Sequence, residues 1–113
     1  MTVQQLVEKF NLKIFSGEKG LGKNISGGYV SDLLSDVMGN ASEGMVWVTL
    51  QSHKNVMAVA SLKDLPAVIL VKGIVPENET ILQSNEEEIP LLGTTDSSFE
   101  ITGKLYNLIA DNK

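Results

Sequence analysis

The sequence has no cysteine, no arginine and only one histidine in 113 residues. Without cysteine the chain cannot form disulfides, thiolate nucleophiles, zinc fingers or iron–sulfur clusters. Without arginine it lacks the side chain that most often clamps carboxylates and phosphates through two parallel hydrogen bonds. The absence of cysteine fits a reducing compartment, so we expect a cytoplasmic protein.

Long apolar runs and clusters of positive charge are also missing. No stretch is long enough to span a bilayer, and the amino-terminal MTVQQLVEKF lacks the basic start and apolar middle of a signal peptide. The net charge is -5 and lysines alternate with acids, so we expect no nucleic-acid or membrane partner. A length of 113 residues with 42% hydrophobic residues predicts one globular domain over residues 1–113.

The central segment, Gly27–Leu62, reads as strand, helix, strand and helix with few residues to spare. Gly27–Val30 and the apolar run Met45–Leu50 are predicted strands, and Leu65–Val71 and Ile89–Leu92 continue the alternation. This pattern predicts an α/β domain of three layers, α/β/α, with a mostly parallel central sheet. Trp47 lies inside the second run and is expected in the core.

Helix boundaries follow from capping residues and apolar spacing. Thr2 is expected to cap a helix over Val3–Phe10, and Asp32 to cap one that ends at Glu43-Gly44. Ser52 or His53 is expected to begin the next helix. Further predicted helices, with their inward residues, are Glu77–Glu88 with Ile81 and Leu82, and Phe99–Ala110 with Phe99, Leu105, Tyr106, Leu108 and Ile109. Gly103 in the last helix predicts a close packing contact.

Polar side chains collect where the predicted strands pass into helices, which is where ligands bind open α/β sheets. The first turn contains Ser31 and Asp32, and the second contains Gln51, Ser52, His53 and Asn55. Free N–H groups at a helix start attract anions, so the second turn is a candidate anion site. The competing interpretation is self-capping, because hydroxyl groups at helix starts accept those N–H bonds.

A second cluster of hydroxyl groups precedes the last helix. Thr94, Thr95, Ser97 and Ser98 form a candidate anion site of the same kind. Ser97 with Glu100 three residues later also has the spacing of a capping box, and we favour capping there. Asp32 and Asp36 share a helix face but lack further oxygen ligands, so no metal is expected.

No catalytic constellation is complete. Histidine is the residue type that most often acts as a general acid or base, but the sequence supplies no nucleophile or orienting carboxylate to pair with His53. A small hydrolase using His53 is therefore the weakest hypothesis. The glycine-rich loop Ser16–Asn24 is not a phosphate-binding P-loop, because no Gly-Lys-Ser/Thr follows. No cofactor is expected.

The run GGYVSDLLSDVMGNASEGMVWVTLQSHKNVMAVASL, followed by PAVILVKGIVPENETILQSNEEEIPLLGTTDSSFEITGKL, resembles the DRTGG domain family. The similarity covers Ile14 to the end and is carried by DLLSDVM, by the next strand–turn–helix, and by Ile89–Glu100. The Asp-Arg-Thr-Gly-Gly string itself does not occur. Gln51-Ser52-His53 stands at the turn that often carries Gly-Asp-Arg in relatives.

The resemblance implies the three-layer fold of the amino-terminal domain of HPr kinase/phosphorylase, without its P-loop kinase module. In such proteins the domain is regulatory or dimerising and not catalytic by itself. We therefore expect a non-catalytic regulatory or interaction module, a homodimer that can also meet a partner protein. The alternative is a small-molecule sensor that binds a nucleotide or another anion at the strand-to-helix turns.

Overall fold

The computed structural model describes residues 1–112, which form five strands and five α-helices. The five-stranded sheet has the order β1-β5-β4-β3-β2. Only β1 runs antiparallel to its neighbour, and the other pairs are parallel. The strands are β1 (Lys13–Ser16), β2 (Gly27–Val30), β3 (Met45–Thr49), β4 (Val68–Leu70) and β5 (Leu91–Gly93).

Helices cover both faces of this sheet. They are α1 (Val3–Phe10), α2 (Leu34–Asn40), α3 (Asn55–Leu62), α4 (Asn78–Glu87) and α5 (Ser98–Asp111), with a short 3-10 helix over Glu18–Gly20. Alternate strand residues face opposite layers: Val46 and Val48 pack with α1 and α5, whereas Trp47 packs with α2 and α3. The predicted three-layer α/β architecture is therefore confirmed. Within residues 1–112, no helix is long and apolar enough to cross a membrane.

The first helix forms as its sequence predicts. The Thr2 hydroxyl accepts the Gln5 N–H, and the Gln5 side chain accepts the Thr2 N–H, which completes a capping box. Asn11 ends the helix in the left-handed conformation, with φ at 51°. Val3 and Leu6 are fully buried, so the helix is anchored to the sheet along one apolar face.

The predicted ends of α2 and α3 were wrong. α2 begins at Leu34 and ends at Asn40, because Asp32 bonds to another strand and not to the helix start, and the chain leaves the helix in extended conformation at Ala41. α3 begins at Asn55, and neither Ser52 nor His53 lies inside it.

Several predictions about burial were also wrong. Phe99 is 90% exposed and Tyr106 is 72% exposed, because α5 turns only its Ile101–Leu105 side to the sheet. Leu82 is 64% exposed on α4, where Thr80 and Ser84 are buried in its place. Their hydroxyl groups donate to the carbonyl oxygens of Ser52 and Ile89, at 2.7 Å and 2.6 Å. Gly103 makes no close packing contact, since an added Cβ would meet nothing within 4 Å.

Candidate functional site

All the candidate residues lie at the end of the sheet formed by the carboxyl-terminal ends of the parallel strands. Ser31 and Asp32 follow β2, and residues 51–53 follow β3, its direct neighbour. Asn55 begins α3. The second cluster, Thr94, Thr95, Ser97 and Ser98, follows β5 and is separated from the first by β4. The two clusters, which the sequence analysis treated as two candidate sites, are thus at the same end of the sheet but separate from each other.

The Asp32 side chain links the turn after β2 to the end of β3 and does not cap α2. One oxygen of its carboxylate accepts the Thr49 hydroxyl at 2.9 Å and the Leu50 N–H at 2.7 Å. Leu33 occupies the N-cap position of α2 and makes no side-chain cap bond. Because the Thr49 side chain is only 1% exposed, the carboxylate satisfies a donor that water does not reach freely. One oxygen of the exposed Asp32 side chain is therefore used in hydrogen bonds within the protein.

Two further bonds join the turn after β2 to β3. The Gln51 side-chain amide donates to the Asp32 carbonyl oxygen at 3.0 Å, and the Trp47 indole N–H donates to the Ser31 carbonyl oxygen at 2.8 Å. The Ser31 hydroxyl accepts the Leu33 N–H at 3.2 Å. These bonds make the two turns one connected polar unit, whose members mainly satisfy one another.

Asp36 and Tyr29 form a neighbouring pair on the α2 side. The Tyr29 hydroxyl donates to the Asp36 carboxylate at 2.9 Å. Hydrogen bonds from the Ser31 and Tyr29 hydroxyls hold the pKa of Asp36 below its usual range. The same bond to Asp36, with burial, raises the pKa of Tyr29. The pair connects α2 to β2. Within residues 1–112, no group of three or more histidine, aspartate or glutamate side chains is arranged to hold a metal ion.

The turn between β3 and α3 is also used structurally. The Ser52 carbonyl oxygen accepts the Thr80 hydroxyl, which fastens this turn to α4. The ring nitrogen Nδ1 of His53 accepts the Asn55 N–H at 3.2 Å, so histidine takes part of the capping role. The His53 side chain is otherwise exposed. An anion reaching this turn would meet Asp32 nearby in the same polar unit, and that negative charge opposes anion binding.

The cluster before α5 caps its helix, as favoured from the sequence. The Ser97 hydroxyl accepts the Glu100 N–H at 3.2 Å, and the Glu100 carboxylate accepts the Ser97 N–H at 3.1 Å. The Thr94 hydroxyl accepts the Asp96 N–H at 3.1 Å. Lys104 pairs with Asp96 at 2.8 Å, and this hydrogen bond raises the pKa of Lys104.

A cavity of about 470 Å³ opens beside Thr94 and Thr95, and the sequence did not reveal it. Its far wall comes from β1, where Lys13 and Phe15 line it, with the Lys13 ammonium 4.9 Å from the Phe15 ring centre. Loop residues Gly73 to Val75 complete the cavity. A cation, an aromatic face and two hydroxyl groups can contact a small anionic ligand with a planar ring. Asp96 lines the same cavity, and its negative charge, which is paired with Lys104, opposes an anion there. The antiparallel placement of β1 beside β5 creates this combination, and no local sequence signal marks it.

A different cavity of about 530 Å³ lies at the opposite end of the sheet, beside the amino-terminal ends of the parallel strands. Glu43, Asp64, Glu87 and Lys23 line it. The Lys23 ammonium donates to the Glu88 carbonyl oxygen at 2.8 Å, and the Ser61 hydroxyl donates to Glu87 at 2.7 Å. The first contact connects the loop after the 3-10 helix to the end of α4, and the second connects α3 to α4. The residues around this cavity therefore have a structural role.

An apolar groove of about 260 Å³ runs between β2 and α5. It is lined by Ser26, Gly27, Gly28, Val30, Met45, Thr102, Leu105, Tyr106, Ile109 and Ala110. A Cβ on Gly28 would lie 2.9 Å from the Leu105 side chain, so glycine lets α5 pack this close to β2. β2 ends the sheet, and the groove therefore opens at its edge.

No protein-family model matches the chain. A solved structure with a similar fold is that of the CBS and DRTGG domains of the regulatory region of Clostridium perfringens pyrophosphatase, complexed with its activator diadenosine tetraphosphate. The TM-score is 0.66 at 16% sequence identity. The likeness is one of fold.

The match covers 92% of this chain and 45% of the pyrophosphatase chain. This chain therefore spans less than half the length of that regulatory region. The shared architecture agrees with the fold expected from the resemblance to DRTGG domains.

Proposed function

We propose that this chain is a non-catalytic regulatory and interaction module of the DRTGG type that works as a homodimer. The observation that carries the proposal is a contrast between two surfaces. Polar groups at the carboxyl-terminal ends of the strands form hydrogen bonds mainly with one another, whereas the groove beside the edge strand β2 exposes apolar side chains. A surface of the second kind favours association with protein over catalysis.

The surroundings of His53 support a non-catalytic role. Its Nδ1 atom accepts a backbone N–H, and among residues 1–112 no hydrogen bond joins its ring to a hydroxyl nucleophile or to a carboxylate. General base catalysis needs such partners in reach. The similar fold belongs to the regulatory region of a pyrophosphatase, and a regulatory role for this chain is consistent with that likeness.

Solution mass tests the homodimer. Multi-angle light scattering at micromolar concentration is expected to give twice the chain mass of 12.2 kDa. A single species of 12.2 kDa over the whole concentration range would overturn the dimeric part of the proposal.

A second candidate function is sensing of a nucleotide or another small anion. The cavity beside Thr94 and Thr95 favours it, because Lys13 and the Phe15 ring line the same space. The similar structure was solved with diadenosine tetraphosphate, which makes this compound a reasonable first probe.

Thermal shift measurements test the sensor, because a ligand that binds only the folded state raises the melting temperature. We expect diadenosine tetraphosphate or ATP to raise it for the wild type and less for Lys13→Ala. Lys63→Ala, on the C-cap residue of α3, is the matched control and should keep the full shift. No shift with any nucleotide tested would remove this candidate, and an equal loss in both variants would indicate general charge attraction.

A further inference from the structure

We propose that two copies of this chain join through the β2 edge and the outer face of α5, about a two-fold axis perpendicular to the sheet. The inference rests on the homodimer proposed above and adds the surface, the symmetry and the residues that form it. Pairing of the two β2 strands would make one continuous sheet across the dimer.

The two edges of the sheet differ in how they are protected. At one edge, β1 contains the charged residue Lys13 and a register irregularity between Ile14 and Ser16. Charges and bulges of this kind prevent pairing with another chain. At the other edge, β2 has the sequence GGYV, with no charge, no proline and a regular register. β2 thus presents unpaired backbone donors and acceptors without any of the usual protection.

The surface beside this edge is apolar and continuous. Val30 is 45% exposed, Tyr106 72% and Phe99 90%. Thr102 and Tyr106 line both the groove next to β2 and the shallow surface around Phe99, so the two areas join. Among residues 1–112, no charged residue lines the groove.

Exposed apolar side chains supply a large part of the area that a dimer needs. The Phe99 and Tyr106 rings together expose on the order of 300 Å². A stable interface buries about 800 Å² on each partner. On the α2 side, further apolar area comes from Leu33, 63% exposed, and Met38, 39% exposed. Backbone of β2 and the walls of the groove add the remainder.

The symmetry places the helices at a suitable distance. A two-fold axis perpendicular to the sheet pairs the β2 strands antiparallel and brings both α5 helices to the same face, also antiparallel. Because α5 packs on β2 and β3, its axis lies inward from the edge, and strands are about 4.8 Å apart. The two α5 axes then lie about 10 Å apart, which is the usual spacing of packed helices.

The sequence of α5 is complementary to itself in this arrangement. With the axis close to Thr102, which lines the groove, Phe99 of one copy lies against Tyr106 of the other. Glu100 and Lys104 lie on the opposite flank of α5, where Lys104 pairs with Asp96 at 2.8 Å, so neither charge is buried in this contact. This reciprocal pattern is what an isologous interface requires, and it favours a second copy over an unrelated partner.

Sedimentation equilibrium on point variants tests the surface. We expect Val30→Lys and Phe99→Glu each to raise the dimer dissociation constant by at least about 30-fold, the effect of losing a central interface side chain. Leu62→Glu is the matched control, because Leu62 is 72% exposed on α3, away from the surface. Circular dichroism and melting temperature establish that each variant is folded.

A cysteine crosslink tests the symmetry directly, even if an edge variant fails to fold. Because the chain has no cysteine and Thr102 faces the groove at the β2 edge, a Thr102→Cys variant can form only an intermolecular disulfide with its own copy. Under mild oxidation it is expected to give a covalent dimer that dithiothreitol reverses, while Leu62→Cys is expected to stay uncrosslinked.

The outcomes separate the two proposals. A monomeric wild type overturns the homodimer and this surface together. A dimeric wild type whose Val30→Lys and Phe99→Glu variants stay dimeric, or whose Thr102→Cys variant does not crosslink, overturns the surface and leaves the homodimer standing.

Discussion

The hydrogen bond between Thr49 and Asp32 leads to a quantitative prediction that distinguishes it from helix capping. Asp32→Ala removes the acceptor of the Thr49 hydroxyl at 2.9 Å and of the Leu50 N–H at 2.7 Å. The Thr49 side chain is 1% exposed, so its donor would stay unsatisfied, at a cost of about 1–3 kcal/mol. Water can replace the bond at the more exposed Leu50 N–H. We expect a total loss of about 2–3 kcal/mol in the free energy of unfolding, or about 10 °C in melting temperature.

The assay is urea unfolding followed by the fluorescence of Trp47, which is fully buried and is the only tryptophan. The decisive measurement is a double-mutant cycle with Thr49→Val. Removing the hydroxyl also removes the unsatisfied donor, so the double variant should be more stable than the sum of the single losses implies, by about 1 kcal/mol.

Helix capping predicts different results. Asparagine caps helices about as well as aspartate, so Asp32→Asn would be nearly neutral if Asp32 were a cap. If Asp32 instead links the two segments, Asp32→Asn should lower the free energy of unfolding by about 1 kcal/mol, because an amide oxygen is a weaker acceptor than a carboxylate. Strictly additive effects of Asp32→Ala and Thr49→Val, together with a neutral Asp32→Asn, would show that the hydrogen bond from Thr49 to Asp32 does not stabilise the fold.

Further predictions concern pH, backbone and the candidate anion site. Because hydrogen bonds lower the pKa of Asp36, its stabilising effect should be complete above the unfolded pKa of about 3.9 and be lost as the pH falls through the lowered value. Asp36→Asn should therefore lose its difference from wild type in acid unfolding curves. Gly17→Ala should destabilise by more than about 2 kcal/mol, since φ is 75° and a Cβ would clash with backbone, whereas Gly39→Ala on open helix should stabilise by about 0.5–1 kcal/mol; equal effects in chemical unfolding would contradict this. His53→Ala should change the melting temperature little, because its Nδ1 bond lies in an exposed turn, and should weaken any ligand bound there; a collapse in melting would show that the residue is structural.

The sequence alone determined the local elements. Helix α1 with its Thr2 capping box and the capping box at Ser97 follow from contacts within a few residues. Strands β2 and β3 were predicted from their own short runs of strand-forming residues. Such contacts are encoded by spacing, so they can be predicted without a tertiary structure. The alternation of strands and helices likewise indicated a mostly parallel sheet with its polar turns at one edge.

Only the tertiary structure decided what those turns do. Asp32 had the sequence context of a cap, yet it bonds across strands to Thr49, seventeen residues away. Phe99 and Tyr106 had helical spacing typical of a buried face, but α5 offers the sheet a narrower face, centred on Ile101 and Leu105. The cavity at Lys13 and Phe15 needs β1 beside β5, almost eighty residues apart in sequence. Pairing between distant segments depends on the global packing of the chain, and local propensity carries no information about it.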